Sequence, residues 1–171
     1  MSANEIARLI SLAADGDNEA FKKLYVKTAR GFYDFLRTYF HNHFDTEDAV
    51  QTVYLKIKQN ADKFKPGTNG RAWILQIAKN HALDVLRKER YDRPLEDAHA
   101  VSVDDTHSDG TVISVMQKVL SEEEQRIVTL HVLWGYKHRE IAEIMEMPTG
   151  TVTSKYKRSV EKLKNALKEV R

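Results

Sequence analysis

Apolar residues recur at helical spacing over nearly the whole chain, and no run of four or more alternates as a half-buried strand requires. Ile6, Leu9, Ile10 and Ala13 stand at i, i+3, i+4 and i+7. After the breaker Asp15-Gly16-Asp17 a second stripe runs Ala20, Phe21, Leu24, Tyr25, then Phe32, Phe35, Leu36 and Tyr39. Asp45 reads as the N-cap of a third helix, with Glu47 and Asp48 well placed against its positive end, and Ala49, Val50, Val53, Tyr54 and Ile57 carry that helix to near Asn60. A loop over residues 63–70 then precedes a long helix marked by Trp73, Ile74, Ile77, Ala78, Val85 and Leu86, which ends in Arg87-Lys88-Glu89-Arg90.

From Asp92 to Gly110 the periodicity vanishes and the composition turns to Asp, His, Ser, Pro and Ala, as in a solvated linker. It returns at Val112, Val115, Met116 and Val119. Ser121 and Glu124 then have the spacing of a capping box before Ile127, Val128 and Leu130, with Gly135 as the C-terminal stop. A short helix with Ile141, Ala142, Ile144 and Met145, the break Met147-Pro148-Thr149-Gly150, and a final helix to about Lys168 complete the chain. The expected fold is all-α: two small helical domains, 1–91 and 112–171, joined by a flexible acidic linker at 92–111.

Several chemistries are excluded by composition. The 171 residues include no Cys, so disulfides, thiolate metal sites and cysteine nucleophiles are out. No stretch approaches the roughly 18 apolar residues of a membrane span, and Met1-Ser2-Ala3-Asn4-Glu5 lacks the basic and apolar parts of a signal peptide. No membrane insertion is expected, and the cytoplasm is the expected compartment. Residues 65–70 lack the Gly-Lys-Ser/Thr end of a phosphate loop, and there is no Gly-x-Ser-x-Gly. His41 and His43, with Asp45 nearby, lack a supporting carboxylate–histidine shell, so neither a metal nor another cofactor is expected.

The net charge of +2 conceals a sorting of charges along the chain. Residues 1–60 are neutral, 61–93 carry +4, 94–124 carry −7 and 125–171 carry +5. Two basic segments flanking an acidic one suggest two surfaces for a polyanion. In the second of them, residues 136–160 have the short helix, break and longer helix of a helix-turn-helix. At about 100° per residue, Val152, Tyr156, Val160, Leu163 and Leu167 should face inward, while Thr151, Ser154, Lys155, Arg158 and Lys162 face outward with Thr153 and Lys157 on the flank. From Thr149 to Val160 there is no Asp or Glu. Hydroxyls and cations without carboxylates suit phosphates and base edges, whereas an ordinary surface helix mixes both signs. Lys137, His138 and Arg139, just ahead, would add phosphate contacts.

The first basic segment interleaves cations with aromatics: Lys63, Phe64, Lys65, Arg71, Trp73, Arg87, Lys88, Arg90 and Tyr91. Stacking faces among cations are how single strands are held. Trp73, at the head of an apolar helix, reads as core. Phe64, between two lysines, is the ring expected to be exposed.

Three motifs in order resemble the bacterial sigma factors of the extracytoplasmic-function type. Asp45-x-Glu47-Asp48-x-x-Gln51-x-x-x-Leu55 resembles the region-two helix that docks on RNA polymerase. Trp73-x-x-x-Ile77-Ala78-x-Asn80-x-x-x-Asp84-x-x-Arg87-Lys88-x-Arg90 resembles the promoter-melting helix. Leu120-Ser121-x-Glu123, Glu140-Ile141-Ala142-x-Ile144-Met145 and Gly150-Thr151-Val152-x-Ser154-Lys155-x-x-Arg158 resemble region four.

The resemblance implies a non-enzymatic initiation factor with core RNA polymerase and promoter DNA as partners, and an anti-sigma factor as a further one. It implies core-polymerase contacts at Asp45, Glu47, Asp48, Gln51 and Leu55. Contacts to the single-stranded minus-10 element would come from Lys63, Phe64, Lys65, Arg71, Asn80, Asp84, Arg87, Lys88 and Arg90. Contacts to the duplex minus-35 element would come from Lys137, Arg139, Thr149, Thr151, Thr153, Ser154, Lys155, Lys157 and Arg158, while the acidic linker would lie in the RNA-exit region of the polymerase. Gly150 departs from the acidic or larger polar residue that many members carry there. The rival is a free-standing dimeric helix-turn-helix regulator, which accounts for residues 136–160 and leaves 45–90 without a role.

Overall fold

A computed structural model of the protein describes residues 2–40, 42–92 and 112–169, and divides the chain into two compact units, 1–102 and 103–171. Among the described residues every regular element is a helix. Apart from Asp92, the expected linker at 92–111 lies outside the described residues, as does His41.

The first unit comprises α1 (Ala3–Ala14), α2 (Asn18–Leu36), α3 (His43–Asn60), a 3₁₀ turn (Ala61–Lys63) and α4 (Gly70–Asp92). Polar side chains satisfy the free N–H groups at each start: Ser2 accepts from Glu5, Asp17 from Ala20, Asn42 from Asp45 and Asn69 from Ala72. The N-cap of α3 is thus Asn42, three residues before the expected Asp45, because its short amide reaches the Asp45 N–H at 2.8 Å. Ile6, Ile10, Leu24, Phe32, Phe35, Ile57, Ile74 and Leu75 fill the core.

Tyr54 ties α3 to α2 within that core. Its ring meets Phe32 edge-on at 5.3 Å, and its hydroxyl lies 2.6 Å from Thr28 Oγ1, which itself donates to the Leu24 carbonyl. The Tyr54 hydroxyl also donates to the Tyr25 carbonyl at 3.4 Å. Burial raises its pKa well above the usual value, keeping the phenol neutral.

Gly70 opens α4 directly against Ala7 of α1. A Cβ there would stand 2.5 Å from the Ala7 nitrogen and 2.7 Å from Ala7 Cα, backbone atoms that cannot swing aside. Before it, Lys65-Pro66-Gly67-Thr68 forms a type II turn: Gly67 supplies the positive φ of 86°, and the Thr68 N–H reaches the Lys65 carbonyl at 3.2 Å.

The second unit comprises α5 (Val112–Val119), α6 (Glu122–Val132), α7 (His138–Met145) and α8 (Thr149–Glu169). The capping box at Ser121 is present: the Glu124 N–H donates to Ser121 Oγ and the Ser121 N–H to Glu124. Met116, Leu120 and Val128 form one core cluster with Tyr156 and Leu163 against it, while Ile127, Leu130, Ile141 and Val152 are fully buried. The break between α7 and α8 is Glu146–Pro148, with Glu146 in the left-handed region at φ 56°. Thr149 and Gly150, read from sequence as part of the break, already belong to the first turn of α8.

Gly70→Ala should therefore cost the first unit about 2 kcal/mol or more through forced backbone displacement. Gly150→Ala, whose Cβ meets nothing within 4 Å, should be neutral or stabilising by up to about 1 kcal/mol. Urea unfolding of the two variants checks the contrast.

Candidate functional site

On α3, the exposed stripe at i, i+4, i+7 and i+11 is Phe44, Asp48, Gln51 and Leu55. Phe44 is 75% and Leu55 60% exposed, so an apolar group stands at each end of a polar middle. Sequence reading missed Phe44, although the spacing that links Asp48 to Gln51 and Leu55 extends back to it. The other two carboxylates have partners: Asp45 accepts from the Asn42 amide, and Glu47 lies 3.1 Å from His43 Nε2, whose Nδ1 lies 2.8 Å from the Tyr33 hydroxyl.

Behind that stripe α3 contacts α4 through a polar pair. Lys56 Nζ donates to His81 Nδ1 at 3.3 Å. Burial, and then the Lys56 cation, hold the His81 imidazole below its usual pKa, so the ring stays neutral and can accept. On the open side of α4, Asn80, Asp84, Arg87 and Lys88 follow one another at helical spacing and are all exposed, and Tyr91 continues the same stripe. Gln76 donates to Asn80 at 2.8 Å, and Asp84 lies 3.7 Å from Arg87. Arg90 is exposed off that stripe, and Arg71 is half-buried at the start of the helix.

The expectation for the loop needs a correction. Lys63 and Lys65 are exposed, with Lys63 donating to Asn60, but Phe64 is only 5% exposed. Its ring packs edge-on against half-buried Trp73 at 5.4 Å. The type II turn folds the loop back onto α4, and burying an aromatic pair outweighs the pull of two neighbouring lysines toward water. No stacking face is available at Phe64 in this conformation.

In the second unit the buried face of α8 is turned by only about 30° from expectation. Its buried face runs through Val152, Tyr156, Ser159 and Leu163, with Ser159 fully buried where Val160 was expected. Burying that hydroxyl costs little because it donates to the Lys155 carbonyl at 2.8 Å. Lys155 and Lys162 are consequently turned toward α6: Lys155 Nζ pairs with Glu123, and Lys162 Nζ with both oxygens of Glu124 at 2.8–2.9 Å. Lys155 thus leaves the outer face assigned to it.

Ser154, Lys157 and Arg158 remain exposed, as do Lys137, Arg139 and Thr149, while Thr151 and Thr153 are partly covered. Arg139 lies 3.7 Å from Glu143, an exposed contact that leaves its charge available. His138 is turned inward against α6 and α8 rather than outward with its two basic neighbours. The structure therefore gathers a cationic, hydroxyl-bearing edge along α7 and the first half of α8, in the arrangement that lays a helix into a major groove.

These surfaces define a helix-turn-helix DNA-binding protein with a second helical unit. Residues 24–91 match the family described as Sigma-70 region 2, and residues 116–163 match Sigma-70, region 4. The ECF RNA polymerase sigma-E factor of Escherichia coli K12 is 28% identical over 92% of this chain and 91% of its own length. The RNA polymerase sigma factor CarQ of Myxococcus xanthus is 27% identical over 91% and 94%. The fold is similar to that of the sigma factor RpoE of Bartonella quintana, solved with the anti-sigma factor NepR, at TM-score 0.65 and 21% identity, covering 88% of this chain and 98% of that one. CnrH, solved with the cytosolic domain of CnrY, gives TM-score 0.65 and 21% identity over 96% and 98%.

The chain belongs to the sigma-70 family and is a sigma factor of the extracytoplasmic-function type. Its function is promoter-specific initiation with core RNA polymerase. The region 2 match accounts for the residues that a free-standing dimeric regulator leaves without a role. Among the described residues no helix is long and apolar enough to cross a membrane.

Burial alone would raise the pKa of Glu124, but the Lys162 ammonium and the Ser121 N–H outweigh it and hold the carboxyl below its usual range. A depressed carboxylate contributes stability that is complete above its unfolded value and lost as pH falls through the folded one. Lys162→Ala should accordingly destabilise the second unit by about 1–2 kcal/mol at pH 7, with the difference from wild type shrinking below pH 4.5, the usual carboxyl value for this side chain. Lys164→Ala should stay within about 0.5 kcal/mol. Chemical denaturation at the two pH values reads both.

Proposed function

We propose that the three exposed surfaces divide the work of initiation as follows. The α3 stripe Phe44, Asp48, Gln51 and Leu55, with Asp45 and Glu47 at its margin, docks on core RNA polymerase. Lys63, Lys65, Arg71 and the α4 stripe Asn80, Asp84, Arg87 and Lys88, with Arg90, hold the melted minus-10 strand. Lys137, Arg139, Thr149, Ser154, Lys157 and Arg158 contact the minus-35 duplex, with Thr151 and Thr153 at their edge. Phe64 supports the loop from beneath, and Lys155 orients α8.

The observation that carries this division is chemical. The exposed face of α3 joins large apolar side chains to a carboxylate and an amide, the mixture of apolar anchors and polar groups that protein interfaces use. The edges of α4 and of α7–α8 are instead cationic. The protein supplies binding and positioning, the polymerase catalyses, and the factor acts in the cytoplasm where that enzyme works. An anti-sigma factor that covers one or more of these surfaces is the partner expected to hold it inactive; the similar sigma factor RpoE of Bartonella quintana was solved in complex with the anti-sigma factor NepR.

In vitro transcription on genomic fragments with purified core polymerase tests the whole reading. Discrete RNA 5′ ends that appear only with the protein, and share two upstream motifs, are expected. Leu55→Ala and Asp48→Ala should lower the affinity for core while leaving the thermal midpoint in place. Arg158→Ala should relax preference at one minus-35 position by about 1–3 kcal/mol if its contact is bidentate. Lys157→Ala should weaken all sequences alike and reduce the salt slope by about one. Unchanged core affinity in both α3 variants would remove α3 from the polymerase interface.

A further inference from the structure

At the base of the helix-turn-helix three rings from three helices meet: His131 of α6, His138 at the first position of α7, and Tyr156 of α8. Their centroids are 4.5 Å (His131–Tyr156), 4.8 Å (His131–His138) and 5.0 Å (His138–Tyr156) apart. The hydrogen bonds around them determine where the protons sit. The Thr153 hydroxyl donates to the Thr149 carbonyl at 3.0 Å, so its oxygen can only accept from His138 Nδ1, 3.1 Å away. His131 Nδ1 lies 2.8 Å from the Tyr136 carbonyl, which likewise can only accept. Both imidazoles therefore carry their proton on Nδ1. His138 Nε2 is buried and has no hydrogen-bond partner among the described residues.

A neutral His138 leaves a lone pair at that buried nitrogen. A protonated one places a buried N–H there without an acceptor, which costs more because a charge is buried with it. The groups facing the ring offer no relief. His131 approaches from α6, and Tyr156, Lys157 and Thr153 from α8; Lys137 and Arg139 flank it in sequence, and the Glu140 carboxylate of its own helix accepts from the Lys137 N–H at 2.7 Å, so the charged groups that act on the ring, His131 and Lys157, are basic. Burial first, then His131 and Lys157, hold the imidazole below its usual pKa.

We infer that His138 is a positioning residue for promoter readout: as the neutral Nδ1–H tautomer it fixes Thr153, and with it the first turns of the recognition helix against α7, whereas acid adds a proton at buried Nε2, where no acceptor faces it, so the ring is driven from this seat and the grip on the upstream duplex weakens. This inference rests on the assignment of α7 and α8 to the minus-35 element. The sign follows from linkage. A base that is neutral in the folded unit contributes stability that is complete above the ordinary histidine value of 6.5 and is lost as pH falls below it. A histidine that touched a phosphate would act oppositely, because the phosphate favours the cation and binding would tighten in acid.

The two roles are separated by binding of polymerase holoenzyme, assembled with the full chain, to a labelled promoter fragment and to the same fragment with its minus-35 element scrambled. A half-unit difference in the pKa of His138 between competent and loosened states corresponds to at most about threefold in affinity, reached only below both values. Between pH 7.5 and 6.0 the wild-type preference for the intact element should fall by about twofold. His138→Asn, whose amide can place an N–H near the Nδ1 position but cannot titrate, should keep the pH 7.5 preference and lose its pH dependence. His138→Phe keeps the ring and loses the donor, and should show the weakened preference at both pH values. Nitrogen-15 spectra of the full chain should show His138 as the Nδ1–H tautomer with a midpoint below 6.5.

Preference that rises in acid in the wild type and not in His138→Asn would make His138 a phosphate contact and overturn the inference. An Nε2–H tautomer would overturn it without reference to DNA. A holoenzyme indifferent to scrambling at pH 7.5 would sink the minus-35 assignment itself, while the tautomer and midpoint would still judge the hydrogen bond to Thr153.

Discussion

The two ion pairs between α6 and α8 set the rotation of α8, and what the second unit can offer to DNA follows from that rotation. Glu123 and Glu124 stand in the first turn of α6, where the helix's positive end and the Ser121 cap favour carboxylates. Lys155 and Lys162, two turns apart on α8, reach those carboxylates, and the strip between them, Tyr156 and Ser159, is thereby turned to the core. Ser154, Lys157 and Arg158 are left on the opposite side. Partly buried pairs of this kind add little net stability, since desolvation offsets most of the attraction, but they penalise every other rotation by leaving a carboxylate uncompensated. Their contribution is to specify which residues face outward.

The first unit solves the same problem with neutral groups. Asn42 takes the capping role on α3, Asp45 is held by the Asn42 amide and Glu47 by His43, so Asp48 is the carboxylate of that motif set between the two exposed apolar side chains. An acidic sequence motif thus becomes, once folded, a stripe that sets one carboxylate and one amide between two exposed apolar side chains. At the opposite side α3 meets α4 through Lys56 and neutral His81, so the helix we propose for the polymerase and the helix we propose for DNA share a hydrogen bond. Tyr54 and Gly70 fix the spacing of the surrounding helices, one by filling the core and the other by leaving room for Ala7.

Much of this was legible in the sequence. The helical periodicities, the Ser121 capping box and the short-helix, break, long-helix pattern each depend on residues within a few positions of one another, and such signals survive folding intact. What sequence reading misplaced depends on distant partners. Phe64 between two lysines looks exposed until Trp73, nine positions on, is brought over it. Val160 looks like core and Ser159 like surface until the pull of α6 on Lys155 and Lys162 decides the rotation, and a local bond to the Lys155 carbonyl makes the serine acceptable inside. Asp45 looked like a cap because nothing in one sequence says that Asn42 will reach it first. Phe44 escaped notice because an apolar residue at a helix start is more often core than interface.

The pairing of Lys155 and Lys162 with α6 also bears on how the protein must work. The other cations along α7 and the first half of α8 are Lys137, Arg139, Lys157 and Arg158, and each phosphate neutralised contributes only about 0.9 to the salt slope of binding to duplex DNA. So short a row gives the isolated unit modest affinity and little capacity to hold non-specific DNA. A free-standing repressor with that row would need a second copy to double it. A factor carried by a polymerase needs only enough to choose among sites that the larger assembly already grips, and surplus charge would trap it away from promoters. The pairing of two lysines with α6 to orient the helix, rather than to hold phosphate, is consistent with that demand: it exchanges general affinity for a defined presentation of Ser154, Lys157 and Arg158.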